Sequence, residues 1–290
     1  MRKTAVILFI CAALTVSAAC NGNRSGMPRE LPLVPSVDNF IEISESEAYA
    51  MYEAAVAGIS AADSFAGHQL VFSQMSMTGL NDFENQVTVG IRQIFGEGDD
   101  VLAQIDASST DANFISYFRN GVFYLDDGFG DSFKFTMSGD TIKDMTLSML
   151  VTEVLFTADS ILAVEAVEGS YGTAIRFEVG KTGIQQALHD LATFADTGGT
   201  FRHNEEDVTY EFNDAVVKMQ LGDDGRLMDI RVSVMYKFTN HIIGEEITAY
   251  YEIGMSVSQI GGVTIDFPEY IDTFEDFDMH FEDFEDDGRF

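Results

Sequence analysis

Residues 228–238 read MDIRVSVMYKF. Met228, Ile230, Val232, Val234, Tyr236 and Phe238 take every second place, with Asp229, Arg231, Ser233 and Lys237 between them. Successive side chains of a β-strand point to opposite faces, so this run is a strand with one dry face and one wet face. Residues 247–257 repeat the scheme, Ile247, Ala249, Tyr251, Ile253, Met255 and Val257 alternating with Thr248, Glu252 and Ser256. A face left in water is the mark of an antiparallel sheet, because parallel sheets are covered on both sides.

The same period of two extends outward from this pair. Val87, Val89 and Ile91 alternate with Thr88, Gly90 and Arg92, and Tyr171, Thr173, Ile175, Phe177 and Val179 face away from Arg176 and Glu178. Gly222-Asp223-Asp224-Gly225 leads from VVKMQL into the first run, and Arg119-Asn120-Gly121 separates ISYF from VFYLDD. Links this short make neighbours antiparallel. The pattern predicts about ten or eleven strands in two meanders, over residues 66–136 and 160–265, and a sheet that wide curls or splits.

Helical periods are few. Ser44-Glu45-Ser46-Glu47 has the form of a capping box, and Ala48, Met51, Tyr52, Ala55, Val56 and Ile59 follow at helical spacing, predicting a first helix to about residue 62. A second helix is expected over 142–156, between the meanders. A third is expected after Thr182-Gly183-Ile184-Gln185, with Ile184, Leu188, Leu191 and Phe194 on one stripe. Gly180-Lys181-Thr182 looks like the end of a phosphate loop, but that motif needs glycine at position 175, which is isoleucine. Thr182 therefore reads as a helix cap.

The first residues carry an address. Arg2 and Lys3 precede AVILFICAALT, an uncharged apolar run too short to span a bilayer. Val16-Ser17-Ala18-Ala19-Cys20 resembles a bacterial lipobox, with Ser17 where leucine is more usual. That resemblance implies that residues 1–19 are removed and that Cys20 becomes the diacylated first residue. The other reading is ordinary cleavage that leaves a free thiol. Cys11 lies inside the apolar run, so Cys20 would have no disulfide partner. Two acyl chains hold a protein stably at a bilayer where one does so only marginally. The expected location is outside the cell, lipid-anchored to the outer face of the cytoplasmic membrane. Residues 20–39 hold three of the four prolines among Gly, Ser and Asn, a tether and not a core.

The remainder, 40–274, reads as a single β domain, and the 46% hydrophobic content permits a sizeable core. With 16 basic against 48 acidic residues and a formal charge of −32, nucleic acid is excluded as a partner, and so is direct adhesion to anionic lipid. His68, His189, His203, His241 and His280 are scattered with no zinc-binding spacing, and no nucleophile motif occurs. The acidic turns at 126–131 and 223–225 lack the ligand spacing and closing Glu of an EF-hand. No enzyme, cofactor or metal is expected.

A lipoprotein signal, a tether, a first amphipathic helix and two meanders with a helix between them resemble the LolA/LolB-type half-barrel lipoproteins. That group includes the LppX-like lipid binders and a large set of uncharacterised lipoproteins of Gram-positive bacteria. Residues 117–137 (YFRNGVFYLDDGFGDSFKFTM) and 261–274 (GGVTIDFPEYIDTF) carry the closer likeness to that last set. The resemblance implies a mainly β (α+β) half-barrel with helices on its concave face, sheltering acyl chains or another apolar ligand without catalysis. The composition adds 24 Phe and 13 Met with no Trp, and methionine suits an adaptable pocket. Met75, Met77, Met219, Met228 and Met255, on or near strands, with Phe177 and Tyr251, are the candidate ligand-binding residues.

The last stretch, 275–290, reads as an acidic Phe-rich tail. Phe274, Phe277, Phe281 and Phe284 recur at helical spacing, but like charges at i, i+4 weaken such a helix alone. Two readings of the chain stay open: a non-catalytic carrier of lipid or another apolar ligand, and an envelope interaction or sensing module whose tail contacts a protein partner.

Overall fold

The computed structural model describes residues 40–77, 83–109, 113–126, 132–148, 155–169, 172–184, 208–241 and 244–276. The strands are β1 (Phe40–Ile41), β2 (Ser64–Met77), β3 (Phe83–Ile94), β4 (Leu102–Ser109), β5 (Asn113–Arg119), β6 (Val122–Asp126), β7 (Ser132–Thr136), β8 (Ile161–Gly169), β9 (Gly172–Val179), β10 (Val208–Phe212), β11 (Ala215–Leu221), β12 (Leu227–Asn240), β13 (Glu245–Ile260) and β14 (Glu275–Asp276). Among the described residues the longer helices are α1 (Glu45–Ser60) and α2 (Gly139–Ser148).

All the strands belong to one sheet, ordered β1-β8-β9-β11-β12-β13-β2-β3-β4-β5-β6-β7-β14, with β10 beside the far end of β12. The two meanders are thus fused. The last long strand of the second, β13, pairs antiparallel with the first long strand of the other, β2, from Ile247↔Met77 to Ile260↔Phe65. Every pairing is antiparallel except the short β14 on β7. Edges β1 and β14 do not meet among the described residues, so the sheet is curved but unclosed. Twist accumulated over this many strands forces the curl, and its absence would leave both faces too flat to enclose a core.

The turns obey their residues. Asn120 (φ 53°) and Gly121 (φ 73°) both take left-handed backbone between β5 and β6, the geometry of a tight hairpin that matches strand twist. Gly225 (φ 76°) closes the β11–β12 turn, where Gly222 donates its N–H to Arg226 at 2.9 Å.

α1 starts where its capping box says. Ser44 Oγ accepts the Glu47 N–H at 3.3 Å, and the Glu47 carboxylate accepts the Ser44 N–H at 3.1 Å. The Ser44 hydroxyl also donates to that carboxylate at 2.7 Å, and this bond first, then the one from the Ser44 N–H, holds Glu47 below the usual carboxylate range. Its stripe Ala48, Tyr52, Ala55, Val56 and Ile59 is buried against β8 and β12, within the main core. Ile142 of α2 and Ile184 join the same core, so the helices all cover one face, the concave one.

Several expectations shift. Among the described residues the strand number rises to 14 because short β1 and β14 add to the edges and β10–β11 breaks at Asn213–Asp214. The middle helix starts at Gly139, since Ser138 Oγ accepts the Thr141 N–H at 3.1 Å, and Leu155 and Phe156 stand outside it. Thr182 is not the cap of the third helix. Helical residues begin at Lys181, whose N–H donates to Asp214 at 3.0 Å, so a carboxylate from the β10–β11 corner takes that role. Residues 185–194 of that expected helix lie outside the described residues, as do the address and tether, 1–39.

Candidate functional site: the concave face

The registers line up residues from distant parts of the chain into rows across the concave face. One row runs Ile41, Ala166, Ile175, Met219, Ile230, Met255, Gln69, Val89, Ala107 and Phe114. The next holds Phe177, Val217, Val232, Ile253, Val71 and Val87. Beyond them lie Val234, Tyr251 and Ser73, then Phe212, Tyr236, Ala249 and Met75. Cross-strand neighbours of this kind touch directly.

The sequence-derived candidates meet different fates. Met219, Met255, Phe177 and Tyr251 are at most 2% exposed and sit on this face within three adjoining rows. Met75 also faces the core and is half-buried. The backbone of Met77 pairs with Ile247, and its side chain is outside the described residues. Met228 is a correction. A bulge between Gln220 and Leu221 pairs Leu221 with Leu227, so Leu227 enters the core and Met228 is 47% exposed. The extra residue breaks the alternation that ran cleanly back from Phe238.

Phe274 is a second correction. It belongs to no helical seam, having extended backbone (φ −61°, ψ 143°), and is 6% exposed. With Tyr117, Tyr124 and Ile271 it forms a small separate core on the opposite, convex face. Residues 261–276 therefore cross that face as a strap and finish as β14, which takes up Glu275 and Asp276 of the expected tail. Arg119 holds the strap, bonding Asp272 at 2.7 Å with its guanidinium 5.3 Å from the Phe267 ring. The Asp272 bond keeps that guanidinium firmly protonated. Phe277, Phe281 and Phe284 lie outside the described residues.

Polarity on the two faces differs. Among the described residues, buried polar side chains are Ser64, Gln69, Ser73, Gln93, Ser116 and Thr146, none of them ionisable at neutral pH. Charges collect on the wet faces instead. Arg231 bridges Asp229 (3.3 Å) and Glu252 (3.6 Å), and Arg176 bridges Glu178 (2.8 Å) and Glu165 (3.4 Å). Burial pushes the Asp229 carboxyl up despite the adjacent Arg231 guanidinium. No group of three His, Cys, Asp or Glu side chains fit for a metal exists among the described residues.

Gln93, like Gln69 and Ser73, is a buried polar residue of the concave face that escaped the reading of the sequence. Gln93 continues the inward set Val87, Val89, Ile91 and is 0% exposed. Its neighbours across the strands are Phe65 and Ala103. Neither its Nε2 nor its Oε1 has a hydrogen-bond partner among the described residues. Leaving a buried polar group unpaired costs about 1–3 kcal/mol. The signal was present in QVTVGIRQIF, a polar residue on the parity of an apolar run.

The chain matches no protein-family model and no curated protein. Among solved structures it is similar to a LolA superfamily protein from Nitrosomonas europaea, at 9% identity and a TM-score of 0.21, covering 77% of this chain and 96% of that one.

Proposed function

We propose that this chain is an exported lipoprotein, held at the outer face of the cytoplasmic membrane through a diacylated Cys20, that binds an apolar ligand such as lipid without catalysis. The observation that carries the binding half is the composition of the concave face. An unclosed sheet presents rows of apolar side chains, three of them methionines (Met75, Met219 and Met255), to a few short helices and not to a second sheet. Methionine repacks around irregular shapes, and helices seated on a curved sheet can separate from it without breaking any strand pairing. The buried side chains of the described concave face include no carboxylate, histidine, lysine or arginine, which favours holding over chemistry.

Native mass spectrometry of the purified chain tests the binding: copurified lipid supports it, and a clean ligand-free mass from lipid-containing lysate overturns it. The anchor is tested separately. Metabolic labelling with palmitate is expected to mark the wild type and not Cys20→Ala, and release of both forms into the medium would refute the anchor. The rival reading, a protein-contacting module working through its Phe-rich tail, loses Phe274 from the exposed seam, because that ring is built into the convex cluster.

A further inference from the structure

We infer that Gln93 is the polar anchor of the concave site and that its ligand is an apolar chain bearing an uncharged head able both to donate and to accept a hydrogen bond, a hydroxyl or a primary amide. This rests on the ligand-binding reading above.

A carboxamide offers two N–H donors and an acceptor oxygen, and here both ends are buried and unmatched among the described residues. A leucine or methionine would fill the same volume at no such penalty, as Ile91 and Ile105 do beside it. The amide belongs to the concave parity of β3, directly across from Ala103 on one side and Phe65 on the other. Ala103 is the smaller of these neighbours, and Phe118 of β5 is its own partner on the far side.

The chemistry of the head follows from the surroundings. Phe65, Ile91, Val101, Ala103 and Phe118 are each at most 1% exposed, and no buried ionisable side chain faces the same region among the described residues. A carboxylate or phosphate brought there would lose its hydration with no cation to balance it, so charged lipid heads are rejected. An uncharged amide or alcohol can meet the carboxamide in a reciprocal pair, its donor to Oε1 and its acceptor from Nε2. A pure hydrocarbon would leave both ends unmatched.

Oleamide and oleate are nearly isosteric and differ in charge, so titration of the purified full chain with each is a direct test. Wild type is expected to bind oleamide at least about tenfold tighter than oleate, the worth of one to two net hydrogen bonds. Gln93→Leu is expected to weaken oleamide about tenfold and to erase that preference. Wild-type oleamide affinity retained by Gln93→Leu overturns the anchor while leaving the ligand-binding reading intact. Binding of neither probe, with no copurified lipid, overturns that reading and the anchor together. Should the leucine variant not fold, isotope-edited infrared spectroscopy of carbonyl-labelled oleamide on the wild type decides: a carbonyl band shifted down from its position in hexane supports the pairing, and an unshifted band refutes it.

Discussion

The ring of Tyr52 lies flat on that of Phe156, centroids 4.8 Å apart and planes 6° apart, and both side chains are almost wholly buried. The Tyr52 hydroxyl accepts the N–H of Leu155 at 2.8 Å, while Tyr49, one turn earlier, donates its hydroxyl to the Phe156 carbonyl at 3.1 Å. Two tyrosines of α1 thus pin the segment that returns from the middle helix to β8. Phe177 of β9 packs against the same pair at 5.3 Å from Phe156. Burial raises the Tyr52 hydroxyl well above its ordinary range, so it stays neutral and keeps its bond at any physiological pH.

Tyr52→Phe retains the stack and deletes only the acceptor of the Leu155 N–H. It is expected to cost about 1–3 kcal/mol, the penalty of one buried donor left unpaired. Tyr52→Ala, which also opens a cavity, should cost about 3–5 kcal/mol. Urea denaturation of both variants separates the hydrogen bond from the packing.

Gly67 has no room for a side chain. A Cβ there would lie 2.4 Å from the Ser256 carbonyl oxygen and 2.6 Å from Cζ of Phe65, whose ring folds across the glycine. Gly67→Ala is expected to destabilise by about 1–3 kcal/mol or more, as overpacking does, because one of the clashing groups is backbone. A thermal scan showing an unchanged Tm would mean that β2 and β13 are further apart than this register places them.

The convex strap depends on Arg119 more through the aromatic rings under its guanidinium than through its ion pair with Asp272. The Asp272 partner is 67% exposed, so Asp272→Asn should cost less than about 1 kcal/mol. Arg119→Ala also removes the guanidinium from over Phe267 (5.3 Å) and near Tyr124 (5.9 Å). Faster hydrogen exchange over 264–276 in Arg119→Ala, with little change in Asp272→Asn, is the expected outcome.

Asp229 provides a pH signature. Its folded-state pKa is raised, with burial outweighing the Arg231 attraction, so the folded protein holds the proton more tightly than the unfolded chain does. Stability from this group is complete below the unfolded aspartate range and is lost as pH climbs through the raised value. Asp229→Asn is therefore expected to be more stable than wild type at pH 7, with the advantage fading as pH falls through the carboxylate range. Denaturant midpoints of the two proteins across pH 3.5–7 check both the sign and the window. A gain that grows toward low pH would contradict the burial argument.

Met228 and Met255 test the bulge. Met228→Ala, at an exposed position, should stay within about 0.5 kcal/mol of wild type. Met255→Ala, 1% exposed in the row beside Gln69, should cost about 2–5 kcal/mol.

Much of this molecule was legible in order of residues alone. Alternation in β12 and β13, the Asn120-Gly121 hairpin and the Ser44/Glu47 cap are local matters, settled by side-chain period, left-handed backbone and hydrogen bonds within a few residues. From them come an antiparallel, mainly β chain and the buried stripe of α1. The fusion of the two meanders through β13 and β2 was beyond reach, since alternation shows which face a residue takes but never which distant strand lies beside it. The same limit explains the rest. The bulge that exposes Met228, the burial of Phe274 within a strap, the Asp214 cap and the burial of the Gln93 amide all depend on groups brought together across long stretches of chain, where only the closed packing of the tertiary structure chooses the neighbours.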